Sequence, residues 1–429
     1  MDWLIHFVGG QMDWAQYGGT RGSSSSHYLI DLITFILYNQ DLKEPKAVLA
    51  AMIDFEKAFN RQNHHKLLTK LSDMGTPGWL LVIVKGFLEN RTLTVLYKGA
   101  KSERKSMPGG GPQGTLLGLF LFLIQINDAG FPEEDREMGK RITAAVNKRK
   151  AIQTKHWKYV DDLTLAEALD LDTILISDNE NKLEKPLTYH NRTEHIIQHK
   201  ESKLYKQVEN IVNYTKENEM KINKSKTKVM LFNTKTSKDF TPDIVIEDKQ
   251  IEVVEKLKLL GVIISNDLKW DENTEYITKR GYNKLWVLRR LRLNGANKNE
   301  LRDIYCKHVR SVLEYAAVVW HPGLTLENTT SIERVQKSAL AIILGKDYLS
   351  YENALARLDI EKLSTRREVL CKKFALKALK SEKYSSWFVT EEKTYNTRRK
   401  VNKLKPTQTR TARFNKSTIP YLTNLINQV

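Results

Sequence analysis

Cysteine is scarce in this chain: there are two in 429 residues, Cys306 and Cys371, far apart. So few thiols exclude a disulfide framework and a zinc finger or knuckle, suit a reducing compartment and predict no disulfide-linked partner. Long apolar runs are missing too. The strongest, Leu116 to Ile126, is interrupted by Gln125 and is too short to cross a bilayer, so no membrane role is expected. The opening MDWLIHFVGG has neither a basic leader nor a long apolar stretch, so no secretion signal is expected. An intracellular protein, nuclear or cytoplasmic, is the expectation. No repeat is visible. Acidic residues are under-represented: 51 Asp+Glu face 69 Lys+Arg, a net charge of +18. With 41% hydrophobic and 28% charged residues the composition is globular rather than disordered or collagen-like. The excess charge points to a polyanionic partner, nucleic acid first and an anionic membrane second. It does not separate an enzyme from a passive binder.

Patterning gives mixed α/β text followed by helical text. The first sixteen residues fit no element cleanly. Residues 17–26 (YGGTRGSSSS) read as a loop and His27 to Asn39 as a helix. Residues 47–54 (AVLAAMID) form a short apolar run ending in a carboxylate, which predicts a buried strand with Asp54 at its end. Helices follow through Leu67, Leu68 and Leu71, stopped by Gly75, and over 79–89; Thr92 to Tyr97 reads as a strand. A glycine-rich turn (PGGGPQG, 108–114) precedes a buried helix, and 156–168 (HWKYVDDLTLAEA) predict two short strands around a tight Val-Asp-Asp turn. Polar insertions are expected near 130–155 and 170–203. A helix to about Met220 leads to a strand over 228–233 and strand-like runs within 243–266. Ile277, Gly281, Leu285 and Leu288 mark one helix face. Leu301, Ile304, Tyr305, His308, Val312, Tyr315, Ala316 and Val319 mark a second, and Ile332, Val335, Ala339 and Ile342 a third.

Three aspartates carry the chemistry: Asp54 at a strand end, and Asp161 and Asp162 in a hairpin turn. Carboxylates on adjacent strands can converge on a hard cation such as Mg²⁺, and adjacent carboxylates repel unless a cation lies between them. The plain alternative for Asp161-Asp162 is a turn pair. The combination says more. IDFEKAFNRQNH (53–64), GGPQGTLLG (110–118), YVDD (159–162), INKSKTKVMLF (222–232) and LKLLGVIIS (257–265) follow in order. Together they resemble a reverse transcriptase, and most closely the polymerase of non-LTR (LINE-type) retrotransposons, from about Gln16 to Gly345.

The resemblance implies RNA-directed DNA polymerase activity: templated addition of dNTPs to a primer 3′-hydroxyl with an RNA template and a DNA primer. It implies two Mg²⁺ ions, with Mn²⁺ as a substitute, held by Asp54 and Asp161 with Asp162 beside them and the Phe55 carbonyl as a further ligand. Phe59 matches the aromatic gate that crowds a ribose 2′-hydroxyl; its plain alternative is a core aromatic. Gln113 matches the glutamine bordering the incoming nucleotide, and Gly114 lets the backbone come close. Lys226 matches the lysine near the departing pyrophosphate, a candidate general acid, although a neighbouring lysine can serve and a solvated strand-edge lysine is the alternative. Leu260 and Gly261 resemble the hairpin that grips the primer end.

The implied architecture is a right-hand polymerase: partial fingers (1–45), an α/β (α+β) palm with an antiparallel sheet (46–270), a helical thumb (271–365) and a basic C-terminal region (366–429). Most of the fingers and an upstream endonuclease are not in this sequence, and Asn60 stands where many relatives carry Asp. The Asn60 change is not read as lethal, because the three metal carboxylates remain, but the missing fingers make a truncated, inactive remnant that binds nucleic acid one rival; another is an RNA-dependent RNA polymerase, against which Phe59 argues. His190, His195 and His199 read as a solvated face rather than a metal site, and His64 as structural. Residues 366–429 hold 16 Lys+Arg against 4 Glu. They read as a phosphate-binding region or a solvated tail, with RRKVNKLK (398–405) as a weak nuclear-localisation motif.

Overall fold

The seven residues Ala47–Ile53 form strand β1, buried along its whole length, as a continuous apolar run predicts. The computed structural model describes residues 1–129, 151–170, 202–233, 242–390 and 404–428. Most of the two expected polar insertions, the three histidines between 190 and 199, and residues 398–403 of the basic motif lie outside these. The described chain forms two units: residues 1–28 with 46–254, and residues 29–45 with 255–429.

In the first unit β1 is a central strand of a four-stranded sheet in the order β6-β7-β1-β8. Its partners are β6 (Thr154–Tyr159), β7 (Asp162–Leu169) and β8 (Lys228–Phe232), and every named pairing is antiparallel. Helix α5 (Leu116–Gln125) and helix α6 (Lys203–Glu217) help build its core: Leu49, Ala51, Ile53, Phe122, Leu163, Leu165, Leu204, Val208 and Ile211 cluster together. Burying such side chains contributes about 1.5–3 kcal/mol each. Glu167 of β7 is itself buried, and its carboxylate accepts from the Leu204 N–H (2.9 Å), the Lys203 N–H (3.2 Å) and the Ser202 hydroxyl. A carboxylate at the first turn of α6 answers the free N–H groups there and docks the helix on the sheet.

Helices α1 (Asp2–Val8), α3 (His64–Asp73), α4 (Gly78–Leu88) and α5 build a second cluster, including Leu4, Val8, Leu67, Leu71, Leu80, Val84, Phe120 and Ile124. The expectation that residues 1–16 form no element is corrected. Leu4 and Val8 are one turn apart and buried, but two positions are too few to display a period. The expected strand over 92–97 is also corrected. It is split into β2 (Arg91–Leu93), paired with β5 (Lys105–Met107), and β3 (Leu96–Tyr97), paired with β4 (Ala100–Lys101). The Ser102 side chain accepts from the Val95 N–H at the break. The turn is Lys98-Gly99, with φ 48° and 84°, the two-residue geometry that matches strand twist.

Helix α2 (Ser25–Gln40) begins in the first unit and continues in the second. The second unit adds the β11 (Lys256–Leu259) and β12 (Val262–Ser265) hairpin; the small pair β9 (Val245–Ile246) and β10 (Lys249–Gln250) belongs to the first. Helix α7 (Asp271–Leu293) buries Ile277, Gly281, Leu285 and Leu288, as the spacing predicts. The expected continuous helix over 301–319 is corrected. Helix α8 (Lys298–Ile304) passes into a π-helical turn, Tyr305–Arg310, and helical geometry breaks at Ala316, φ 50°. Between Leu301 and Ala317 the buried residues are Leu301, Tyr305, Val309, Leu313 and Ala317, a strict spacing of four, and Val318 and Val319 beyond the break are buried as well. An α-helix of 3.6 residues per turn rotates such a stripe away, and the wider π turn brings it back. His308 and Tyr315, placed on the buried face by the α period, are exposed.

Helices α9 (Leu326–Leu344), α10 (Tyr351–Leu358), α11 (Leu363–Leu379) and α12 (Thr418–Asn427) complete this unit. Helix α11 runs through the expected 365/366 boundary. The described C-terminal residues are not a solvated tail: Ile419, Leu422 and Leu425 are buried, and the Thr418 hydroxyl donates within reach of the Val318 and Val319 carbonyls (3.1 Å each). Asp41, also buried, accepts from the Arg410 and Thr411 N–H groups and the Thr411 hydroxyl at 2.6–2.9 Å. No helix among the described residues is long and apolar enough to cross a membrane, and both cysteines are free.

Candidate active site

Strand register assembles the site. Ile53 pairs with Leu163 and Met52 with Lys228, so the next positions along β1 set Asp54 opposite Asp162 on one side and near Lys226 on the other. Asp161 occupies the two-residue turn between Tyr159 and Asp162. Lys226 Nζ lies 3.9 Å from Asp54 Oδ2. Asn223 hydrogen-bonds the Asp54 carboxylate, and the Asp54 N–H donates to the Thr227 hydroxyl at 3.3 Å.

Burial raises the Asp54 carboxyl, Lys226 opposes that, and the charge of Asp161 adds to it. Burial, then the charges of Asp161 and Asp54, push Asp162 up to about 6, against Lys226. The structure thus gathers three acids whose mutual repulsion favours a cation between them. All their donors are oxygens, the set that suits Mg²⁺ or Mn²⁺. Among the described residues no three His, Cys, Asp or Glu side chains form a complete metal-holding group.

The neighbouring backbone is built for the same place. Glu56 N–H donates to the Lys221 carbonyl and Asn223 N–H to the Asp54 carbonyl, both at 2.7 Å. These bonds flank the Phe55–Ile222 bridge in the wide antiparallel pattern, so the Phe55 carbonyl faces away from Ile222 and is left for another partner. Val160, a β-branched residue, is held at φ 59° in the aspartate turn. Gly18 packs on that turn: a Cβ there would lie 2.6 Å from the Val160 nitrogen. Tyr17 N–H donates to the Lys158 carbonyl (2.8 Å) and Lys158 N–H to the Ala15 carbonyl (2.9 Å). Asp13 closes the strap, 2.7 Å from both His156 Nε2 and Lys158 Nζ.

Phe59 stacks on Phe122, with centroids 4.3 Å apart and planes at 22°. Its backbone meets the glycine-rich loop: Gly111 N–H donates to the Phe59 carbonyl (2.7 Å) and Gly110 N–H to the Gln62 carbonyl (3.0 Å). Arg91 clamps this loop, donating from Nη2 to the carbonyls of Gly109 (3.0 Å) and Gly110 and from Nε to that of Leu88 (2.7 Å). His64 Nε2 lies 2.8 Å from the Gly110 carbonyl and 3.2 Å from Arg91 Nη2, donating to the first in one tautomer and accepting from the second in the other. Gln113 and Gly114 are exposed beyond the clamp, and Gly114 has φ +83°.

The structure brings Asp54, Asp161, Asp162 and Lys226 together, and joins the Phe59 turn to the loop carrying Gln113. Leu260 and Gly261 are in the second unit, at the β11–β12 turn. There the Tyr315 hydroxyl donates to the Leu260 carbonyl (2.9 Å), and a Cβ on Gly261 would meet the Tyr315 ring at 2.9 Å. Sequence reasoning missed Asn223, Thr227, Arg91, the Asp13–Gly18 strap and the contact of Tyr315 with the Leu260–Gly261 turn. These are single polar residues or loop contacts that no periodicity reveals.

The first unit thus sets paired acids in a β-turn and a third at the end of the adjacent strand of an antiparallel sheet. The family model for reverse transcriptase (RNA-dependent DNA polymerase) matches residues 10–264, and the chain belongs to this family. It is 24% identical over 337 residues to the probable RNA-directed DNA polymerase from transposon BS of Drosophila melanogaster, covering 78% of this chain and 33% of that protein. The corresponding protein of transposon X-element, also from Drosophila melanogaster, is 23% identical over 350 residues, 80% of this chain and 33% of its own length. The polymerase from mobile element jockey of that fly is 34% identical over 113 residues, 26% of this chain and 12% of its own. The chain thus spans about a third of the length of the first two relatives. The non-LTR retrotransposon kind of reverse transcriptase, expected from the motifs, is borne out. Among solved structures, apo telomerase from Candida tropicalis overlaps 90% of this chain and 54% of its own, at 12% identity and a TM-score of 0.39.

Proposed function

We propose that the chain is the polymerase portion of a non-LTR retrotransposon protein and extends a DNA primer on an RNA template. The observation that carries this is the meeting of Asp54, Asp161, Asp162 and Lys226 at one end of the sheet. Asp54 and Asp161 would hold two Mg²⁺ ions, with Asp162 beside them and the Phe55 carbonyl as a further ligand; Mn²⁺ is the natural substitute. When bound, such ions stabilise the negative charge that develops as a 3′-hydroxyl displaces pyrophosphate. Lys226, exposed with its Nζ 3.9 Å from Asp54 Oδ2, supplies a proton to the departing pyrophosphate oxygen. The Phe59 ring, fixed by Phe122, excludes a sugar 2′-hydroxyl. Gln113 and Gly114 border the incoming dNTP.

In this reading the sheet is the palm, the helical block after residue 270 is the thumb, residues 1–45 belong to the fingers, and 366–429 add phosphate contacts. Leu260 and Gly261 form the primer grip. Nucleic-acid contacts of the thumb position the duplex without specifying sequence. The test is Mg²⁺-dependent extension of oligo(dT) on poly(rA) by the full chain. Elongation with dTTP is the expected result. Retained RNA binding without elongation would return the chain to the class of inactive remnants.

A further inference from the structure

Beyond the Arg91 clamp at its base, the ribbon formed by β2 to β5, residues 91–107, is used by nothing described so far. It is unusual in its exposure: Leu93 is 52% exposed, Val95 57%, Leu96 73% and Tyr97 70%. A two-stranded ribbon with apolar side chains in water is marginal alone, which argues for a partner. Its charges say what kind. Lys98, Lys101, Arg104 and Lys105 lie on it with Glu103 as its one acid, and none of the four cations is ion-paired among the described residues. Lys98 Nζ sits 5.6 Å from the centroid of the Tyr97 ring at the tip. An exposed aromatic flanked by cations is the composition that binds unpaired nucleotides: the ring stacks a base and the cations take phosphates. A duplex keeps its bases stacked inside and offers Tyr97, Leu96 and Val95 nothing comparable.

Position supports the same partner. The Arg91 clamp ties the base of the ribbon to the Gly109–Gly110 loop, and that loop leads to Gln113. If Gln113 borders the incoming nucleotide, the ribbon projects from beside the templating position, and the strand ahead of that position is unpaired. We propose that residues 93–105 form an arm that binds single-stranded RNA ahead of the site, through Tyr97 stacking and phosphate contacts from Lys98, Lys101, Arg104 and Lys105. This rests on the polymerase assignment for its direction, not for its chemistry.

The experiment measures fluorescence anisotropy of the full chain with an unstructured 20-nucleotide RNA and with a blunt 20-base-pair RNA–DNA duplex. Tyr97→Ala is expected to weaken RNA binding about tenfold while leaving duplex binding within about twofold. Tyr97→Trp, which keeps a stacking ring, should retain wild-type affinity. Lys98→Ala with Lys101→Ala should lower the slope of log K against log salt by about 1.4 for the single strand. Melting curves of these exposed-site variants are expected to coincide with wild type. Unchanged RNA affinity in Tyr97→Ala, equal losses on duplex and RNA, or loss in Tyr97→Trp matching that of Tyr97→Ala would each overturn the arm. Primer extension by the same preparations reads the polymerase assignment separately, so the two claims can fail independently.

Discussion

Phe59 and Arg91 show how single side chains set the chemistry expected at this site. The Phe59 ring is held by Phe122 rather than free to swing, so a gate role depends on that stack. Phe59→Val should raise ribonucleotide incorporation and cost about 1–3 kcal/mol of stability; unchanged sugar selection in single-nucleotide extension would remove the assignment. Arg91 bridges carbonyls on two segments, a task for a planar fork that a lysine ammonium cannot reproduce. Arg91→Lys is expected to raise the KM for dNTP about tenfold with little change in kcat, because it loosens the loop carrying Gln113 without touching the acids. A fall in kcat alone, at constant KM, would contradict that. The acids were legible in the sequence because motif order and spacing identify them. Arg91 was not, because its partners are backbone carbonyls, which no side-chain pattern records.

At the scale of elements, the strap over the aspartate turn is an electrostatic device. Asp13 is half-buried, and desolvation alone would raise its carboxyl, but Lys158 and His156 outweigh that and hold it well below the usual carboxylate range. A depressed carboxyl contributes stability that is full above its unfolded value near 4 and is lost as pH falls below it. Asp13→Asn leaves Lys158 buried without its counter-charge and should cost about 3 kcal/mol near pH 7. The difference from wild type should shrink in melts below pH 4; a difference independent of pH would show that Asp13 acts through packing alone. The strands around the site were readable: 47–54 as an apolar run ending in a carboxylate, 156–168 as two strands around a Val-Asp-Asp turn, and 228–233 as a strand. The π turn after Ile304 and the split ribbon were not, since both depend on how neighbours force a local departure from the regular period.

On the scale of the molecule, the basic excess divides into charges that build the fold and charges left for a partner. Arg366 forks onto Glu314 at 2.7 and 3.2 Å, and Arg367 is wholly buried beside Trp320 and His321. Neither is available to phosphate, so the charge count of the C-terminal region overstates its grip. That region is fastened instead by Asp41, across about 370 residues of sequence, a contact that composition could not announce. Asp41→Ala should cost about 2–3 kcal/mol, since it strips the partners from several part-buried donors, and should open residues 404–428 to limited proteolysis; an unchanged cleavage pattern would show that the tail is held elsewhere. The central claim, that the acids at the end of β1 and in the β6–β7 turn perform nucleotidyl transfer, is tested most directly by Asp161→Asn. Primer extension is measured on poly(rA)/oligo(dT) with saturating Mg²⁺, with duplex binding followed in parallel. The predicted result is a loss of at least about a thousandfold in rate, equivalent to about 4 kcal/mol of charge stabilisation, with duplex affinity nearly intact. Extension at the wild-type rate would contradict the account.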